Sequence, residues 1–132
     1  MLLDVYSGRS KFLGEDHPRT LLAALNYADN LRGLGRFKEA KSLLRKTMPV
    51  ARRVLGENND ITLKMRCVYA NTLYRDADAT LDDLREAVTT LEDTERIARR
   101  VLGGAHPTTT GIERHLRLSR ETLRARETPS PG

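Results

Sequence analysis

A nine-residue phrase occurs three times along this chain, and few architectures can carry such a repeat. Leu13-Gly14-Glu15-Asp16-His17-Pro18-Arg19-Thr20-Leu21 returns as Leu55-Gly56-Glu57-Asn58-Asn59-Asp60-Ile61-Thr62-Leu63, a step of 42 residues from Leu13 to Leu55. A looser third copy begins at Leu102, 47 residues after Leu55. The six residues Ala51–Gly56 are identical to Ala98–Gly103, which composition alone does not produce. Each Leu-Gly pair reads as the end of a helix, with Gly14, Gly56 and Gly103 at a left-handed cap where a Cβ would be costly. Pro18 and Pro107 then fall in the first turn of the next helix, where a missing N–H costs nothing. In the second copy Asn58, Asn59 and Asp60 supply capping side chains instead.

Two helices fit between successive phrases. An A helix is expected over about residues 18–33 and 60–75, a B helix over about 36–55 and 81–102, and a last helix over about 107–127. Gly33-Leu34-Gly35 breaks the first hairpin. Apolar residues recur at helical spacing: Tyr27, Leu31 and Leu34 against Phe37, Ala40, Leu43 and Leu44, then Tyr69, Ala70 and Leu73 against Leu84, Ala87, Val88 and Leu91. Ala28, Ala40, Ala70 and Ala87 stand where paired helices cross closely. One such hairpin cannot bury its apolar face alone and must stack on neighbours. The expected fold is all-α, an α-solenoid of stacked antiparallel hairpins with repeats of about 42 residues. It divides as a half repeat (1–14), repeat 1 (15–56), repeat 2 (57–103) and a C-terminal helix (104–127), one domain in all, with a disordered tail at 128–132. At 132 residues the chain is long enough for one real core and not for two. Aromatics at 5% with no Trp speak against an all-β sandwich or barrel.

Three local features modify the repeat. The extra residues of repeat 2 fall at Arg75-Asp76-Ala77-Asp78-Ala79-Thr80, giving a longer acidic connection in which Thr80 and Asp83 form a helix-start capping pair. Pro49 lies inside the first B helix, removes one ladder hydrogen bond and meets the carbonyl of Arg45, so a kink or break is expected at Met48-Pro49. Ile112, Leu116 and Leu123 on one face of the last helix, with charges elsewhere, suit a capping helix.

Leu-Gly-Glu-Asp-His-Pro-x-Thr-Leu, followed by Leu25-Asn26-Tyr27-Ala28 and Gly35-Arg36-Phe37-Lys38-Glu39-Ala40, closely resembles the tetratricopeptide repeats of kinesin light chains and their relatives, which exceed the standard ~34-residue unit. The resemblance implies a protein-binding scaffold whose A helices line a concave groove for extended or helical peptides. Its groove positions would be Asn26, Asp29 and Arg32 in repeat 1, Val68, Asn71, Tyr74 and Arg75 in repeat 2, and His115 and Leu118 on the last helix. Asn26 matches the groove asparagine of such repeats, and Val68 replaces it in repeat 2. The amides of Asn26 and Asn71 would bond a peptide backbone, and Arg32 and Arg75 would pair with acidic side chains.

Catalysis is not expected. His17 and His106 take the same place before a proline in two repeats, a structural position at a helix start. Cys67 is the sole cysteine, so no His/Cys zinc set exists and a partly buried, inert thiol is expected. Asp76, Asp78, Asp82 and Asp83 lack the glycine and terminal glutamate of a calcium loop. No metal or cofactor is therefore expected. Lys and Arg number 23 against 18 acidic residues, a net charge of +5, which favours an acidic protein or peptide partner. RNA binding by a basic repeat surface is a lesser alternative, since Asn26 and Val68 break any positional code. A structural segment of a larger array, associating through open solenoid ends, is the other. One lone cysteine, no basic-then-apolar leader and no apolar run near 18 residues point to a cytoplasmic protein without a membrane span.

Overall fold

The computed structural model describes residues 2–128, which form six α-helices. They are α1 (Leu2–Leu13), α2 (Pro18–Gly33), α3 (Phe37–Leu55), α4 (Asp60–Arg75), α5 (Leu81–Leu102) and α6 (Pro107–Glu127). From α2 onward each helix begins and ends within one residue of the expected position. Thr128 caps α6; the rest of the expected tail, 129–132, lies outside the described residues.

The recurring phrase acts as paired stop and start signals. His17 Nδ1 accepts the Arg19 N–H at 3.1 Å and His106 Nδ1 accepts the Thr108 N–H at 3.1 Å. Asn59 Oδ1 accepts the Ile61 N–H at 2.9 Å in the same register. The imidazoles are thus N-caps, interchangeable with asparagine, holding one of the orphan donors at each helix start. Thr80 and Asp83 close the expected capping box on α5, with Thr80 Oγ1 accepting from Asp83 N–H at 3.1 Å and Asp83 Oδ2 accepting from Thr80 N–H at 3.0 Å.

The stop signals differ from one another. After α2, Arg36 N–H bonds the Leu31 carbonyl at 2.9 Å and Gly35 N–H bonds that of Arg32 at 3.0 Å, with Gly35 at φ 77°. That is the paired-bond Schellman closure. Gly56 and Gly103 instead sit at φ 90° with ψ 161° and 155°. This combination is open essentially to glycine alone, not the compact left-handed well that asparagine also visits. A Cβ built on Gly56 would meet nothing within 4 Å, so any cost is backbone strain. Gly56→Ala should therefore lower the unfolding free energy by about 1–3 kcal/mol. Gly56→Asn should not rescue it, and a denaturant midpoint equal to that of the wild type for either variant would contradict the assignment.

Of the kink or break expected at Met48-Pro49, the break does not occur. The α3 helix runs unbroken through it from Phe37 to Leu55. Pro49 and Arg45, one turn back, are both exposed, so the ladder bond is lost on a side of the helix open to solvent, where it costs least. Leu34, expected in the apolar stripe, is the exposed residue closing α2.

Every helix packs on the next, so the hairpins pile up in chain order. Between helices that are not consecutive in the chain, the A helices touch, α2 on α4 and α4 on α6, while α3 and α5 make no contact. Bringing one row together and leaving the other apart bends the stack with the A row on the inside. Ala28, Ala40, Ala70 and Ala87 are fully buried at the crossings, as their size requires. Leu44, Leu63, Leu73, Leu84 and Leu91 fill the spaces between them. Sandwiched by neighbours on all sides, α4 buries ten residues.

One stripe shows how the repeats diverge. Leu21, Ala24, Ala28 and Leu31 of α2 are all buried, and so are Leu63, Arg66, Ala70 and Leu73 at the same register of α4. On α6 that register reads Thr110, Glu113, Arg117 and Arg120, of which only Glu113 is half-buried and the others are exposed. Glu113 and Arg120 are tied to Arg99 and Glu92 of α5. The last helix therefore gives solvent a polar face where the first two receive a B helix, while Ile112, Leu116 and Leu123 anchor it to the core. Arg66, 4% exposed, stands where α2 has alanine; its Nη2 bonds Asp93 Oδ2 of α5 at 2.5 Å, and its Nε and Nη1 are buried without a partner.

Candidate functional site: the face shared by the A helices

Because α2, α4 and α6 lie side by side, residues one helical turn apart on each of them open onto a common cleft of about 400 Å³. From α2 come Leu22, Leu25, Asn26 and Asp29. The central helix gives Lys64, Cys67 and Val68, and α6 gives Pro107, Thr108, Gly111, Ile112 and His115. Leu25 and Ile112 are buried, and Cys67 and Val68 half-buried, so the floor is apolar. Asn26, Asp29 and Lys64 are exposed and form a polar rim.

Of the residues expected in the groove, Asn26, Asp29, Val68 and His115 line this cleft. Arg32 sits beside it, its Nε and Nη2 donating to Asp29 Oδ1 at 2.9 and 2.8 Å. Asn71 and Tyr74 are elsewhere: at 1% and 7% exposure they are buried in the α4–α6 joint. There Asn71 Nδ2 bonds Tyr74 Oη at 3.2 Å, and His115 Nδ1 lies 2.7 Å from Tyr74 Oη and 3.0 Å from Asn71 Nδ2. Arg75 and Leu118 are exposed and do not line the cleft. The expected set runs too far toward the C-terminal end of α4, where α6 packs over it. The cleft extends one turn the other way, to Leu22, Lys64 and Gly111. Those three share one repeat position, as do Asn26, Val68 and His115, so register alone could have located them.

The charges around the cleft are uneven. Asp29 is engaged by Arg32, and Lys64 by Asp60 at 2.9 Å. Arg75 and Arg114 have no carboxylate partner among the described residues. Burial pushes the Cys67 thiol up to about 11, which leaves it protonated and a poor nucleophile at neutral pH. The Tyr74 hydroxyl is likewise pushed up by burial. Burial, with Arg114, Arg32 and Arg75 nearby, holds His115 below its ordinary value. Among the described residues no group of three His, Cys, Asp or Glu side chains is placed to hold a metal ion, and no helix is long and apolar enough to cross a membrane. What the cleft offers is apolar area, amide and hydroxyl hydrogen bonding, and cations at one end.

Residues 20–60 match the tetratricopeptide repeat family model, a segment that spans α2, α3 and the turn into α4. No curated protein and no solved structure matches the chain.

Proposed function

We propose that this chain, which carries a tetratricopeptide repeat at residues 20–60 within a longer stack of helical hairpins, is a non-catalytic scaffold that binds a segment of another protein in the cleft between α2, α4 and α6. Repeats of this family generally mediate protein–protein interaction. The observation that carries the reading is a cleft with an apolar floor and a hydrogen-bonding rim, built from the same register of three helices. Arg75 and Arg114, left without acidic partners beside it, favour an acidic ligand. The kinesin light chain-like variety of the repeat is supported by the Leu-Gly-Glu-Asp-His-Pro phrase, and a cytoplasmic setting by the lone, unreactive cysteine.

A comparative pull-down tests the groove. The wild type, Asn26→Ala/Arg75→Ala and Val68→Glu should share a fold by circular dichroism. Both groove variants should lose bound proteins at least tenfold, while Arg96→Ala on the B row retains them. Equal recovery by all four would end the groove reading.

A second reading has its own observation. The α1 helix buries none of its residues and leaves Phe12 83% exposed, with Leu3, Val5 and Leu13 also open. Such a face favours stacking on another helical hairpin, in a longer array or in a second copy. Light scattering against concentration separates the two readings, since only the second makes mass depend on dilution.

A further inference from the structure

The imidazole of His115 is built into a polar cluster that joins α4 to α6 beneath the cleft. The Asn71 amide nitrogen is a donor only, so its contact requires Nδ1 of His115 to accept, and the Tyr74 hydroxyl, which can donate or accept, then gives its proton to the same nitrogen. Nδ1 therefore accepts, and the ring proton sits on Nε2. Tyr74 and Asn71 are buried, so neither can turn to solvent for a substitute. A proton placed on Nδ1 takes the acceptor from the Asn71 amide, forces Tyr74 Oη to accept from Nδ1 as well as from Asn71 Nδ2 and so turns the hydroxyl proton away from the ring, and puts a cation into a cationic neighbourhood. The charged and titratable groups facing the ring are Arg32 and Asp29 on α2, Cys67, Tyr74 and Arg75 on α4, and Arg114 on α6. Asp29, the one acid, is already bonded to Arg32. Asn71 Oδ1 is buried without a partner, and using it as an acceptor for Nδ1 requires the amide to rotate.

We propose that the Asn71–Tyr74–His115 cluster is a proton-operated latch: neutral His115 holds α6 against α4, and protonation at Nδ1 breaks the Asn71 bond and reverses the Tyr74 bond that close this joint. The device lies in the wall of the cleft, since His115 lines it, so its state sets how firmly that wall stands. It does not depend on what the cleft binds.

The sense of the pH effect follows from the lowered affinity of the folded ring for protons. The contribution is fully present above the ordinary histidine value near 6.5. It falls away as pH drops through that value toward the depressed folded one, because the unfolded chain takes up the proton first.

The other two histidines must be silenced before this can be read. His17 and His106 are N-caps at the register where the protein already uses Asn59, so H17N/H106N keeps those caps and leaves His115 as the sole imidazole. Two measurements on that protein decide the matter. Nitrogen-15 spectra of the ring at pH 7.5 should show an unprotonated Nδ1 and a proton on Nε2, and the ring should titrate below 6.5. Between pH 6.5 and the folded value, the folding constant should drop by up to about tenfold per pH unit, the limit for one proton. Amide exchange in α6 should quicken over that range before exchange in α2 and α3. Adding H115Q or Y74F should flatten the dependence. A proton on Nδ1 at neutral pH, a ring titrating at or above 6.5, or an unchanged slope in both added variants would overturn the proposal. The ring spectra need no further variant, so a misfolded H115Q leaves the test intact.

Discussion

Truncating Leu73 to alanine is expected to cost about 3 kcal/mol of unfolding free energy and to lower the melting temperature by roughly 10 °C. Leu73 is 1% exposed in α4, the helix enclosed on every side, so the vacated space cannot collapse without moving a neighbouring hairpin. Its register mate Leu31, 2% exposed on α2, should lose a similar amount when truncated. At the third site of that register, Arg120→Ala should change stability by less than about 0.5 kcal/mol, because it breaks only a surface pair with Glu92. Guanidinium unfolding of the three variants checks the ordering. A large loss at Arg120 would mean that the register linking the three A helices is misassigned.

Arg66 yields the second large effect, and its sign depends on which partner is removed. Asp93→Ala leaves a guanidinium at 4% exposure with no counter-charge, where Nε and Nη1 already lack partners. The expected loss is about 2–3 kcal/mol, below the usual figure for breaking a buried pair because the Asp93 side chain keeps 37% of its exposure. Arg66→Met, by contrast, should be neutral or stabilising by about 1 kcal/mol, since it removes the desolvated charge and fills the space. Acid titration separates the two further. The Arg66 hydrogen bond holds the Asp93 carboxyl below its ordinary value near 3.8, so the pair's contribution is present above that pH. It is lost as pH falls through the lowered folded value. In Arg66→Met this acid limb should flatten. Equal losses from both substitutions would show that the pair is net stabilising.

Most of the fold was legible because its signals are local and repeated. Leu-Gly phrases, prolines and capping residues punctuate the chain independently of tertiary contacts, so the helix limits could be placed almost to the residue. The break expected at Pro49 failed because sequence gives no view of which side of a helix meets solvent. That side decides whether a lost ladder bond is expensive. Leu34 misled because helical periodicity continues on paper past the glycine that ends the helix. In the cleft, the resemblance to a known repeat gave Asn26, Asp29, Val68 and His115. It could not show that α6 covers the far end of α4, which is why Asn71 and Tyr74 proved to be interior. Arg66 carries no flag of burial in its own sequence neighbourhood. Only the comparison with Ala24 at the same register shows that it occupies an interior position.

The asymmetry between the two rows of helices has a mechanical meaning. A bent beam has one line that keeps its length and another that stretches, and direct contact of α2 with α4 and of α4 with α6 puts the first along the A row. Separation of α3 from α5 leaves the other side free to open and close like the pleats of a fan. Load applied to this protein will therefore be absorbed by splaying on the outer side. The spacing of Asn26, Val68 and His115, which ride on the inextensible row, will be the last dimension to change.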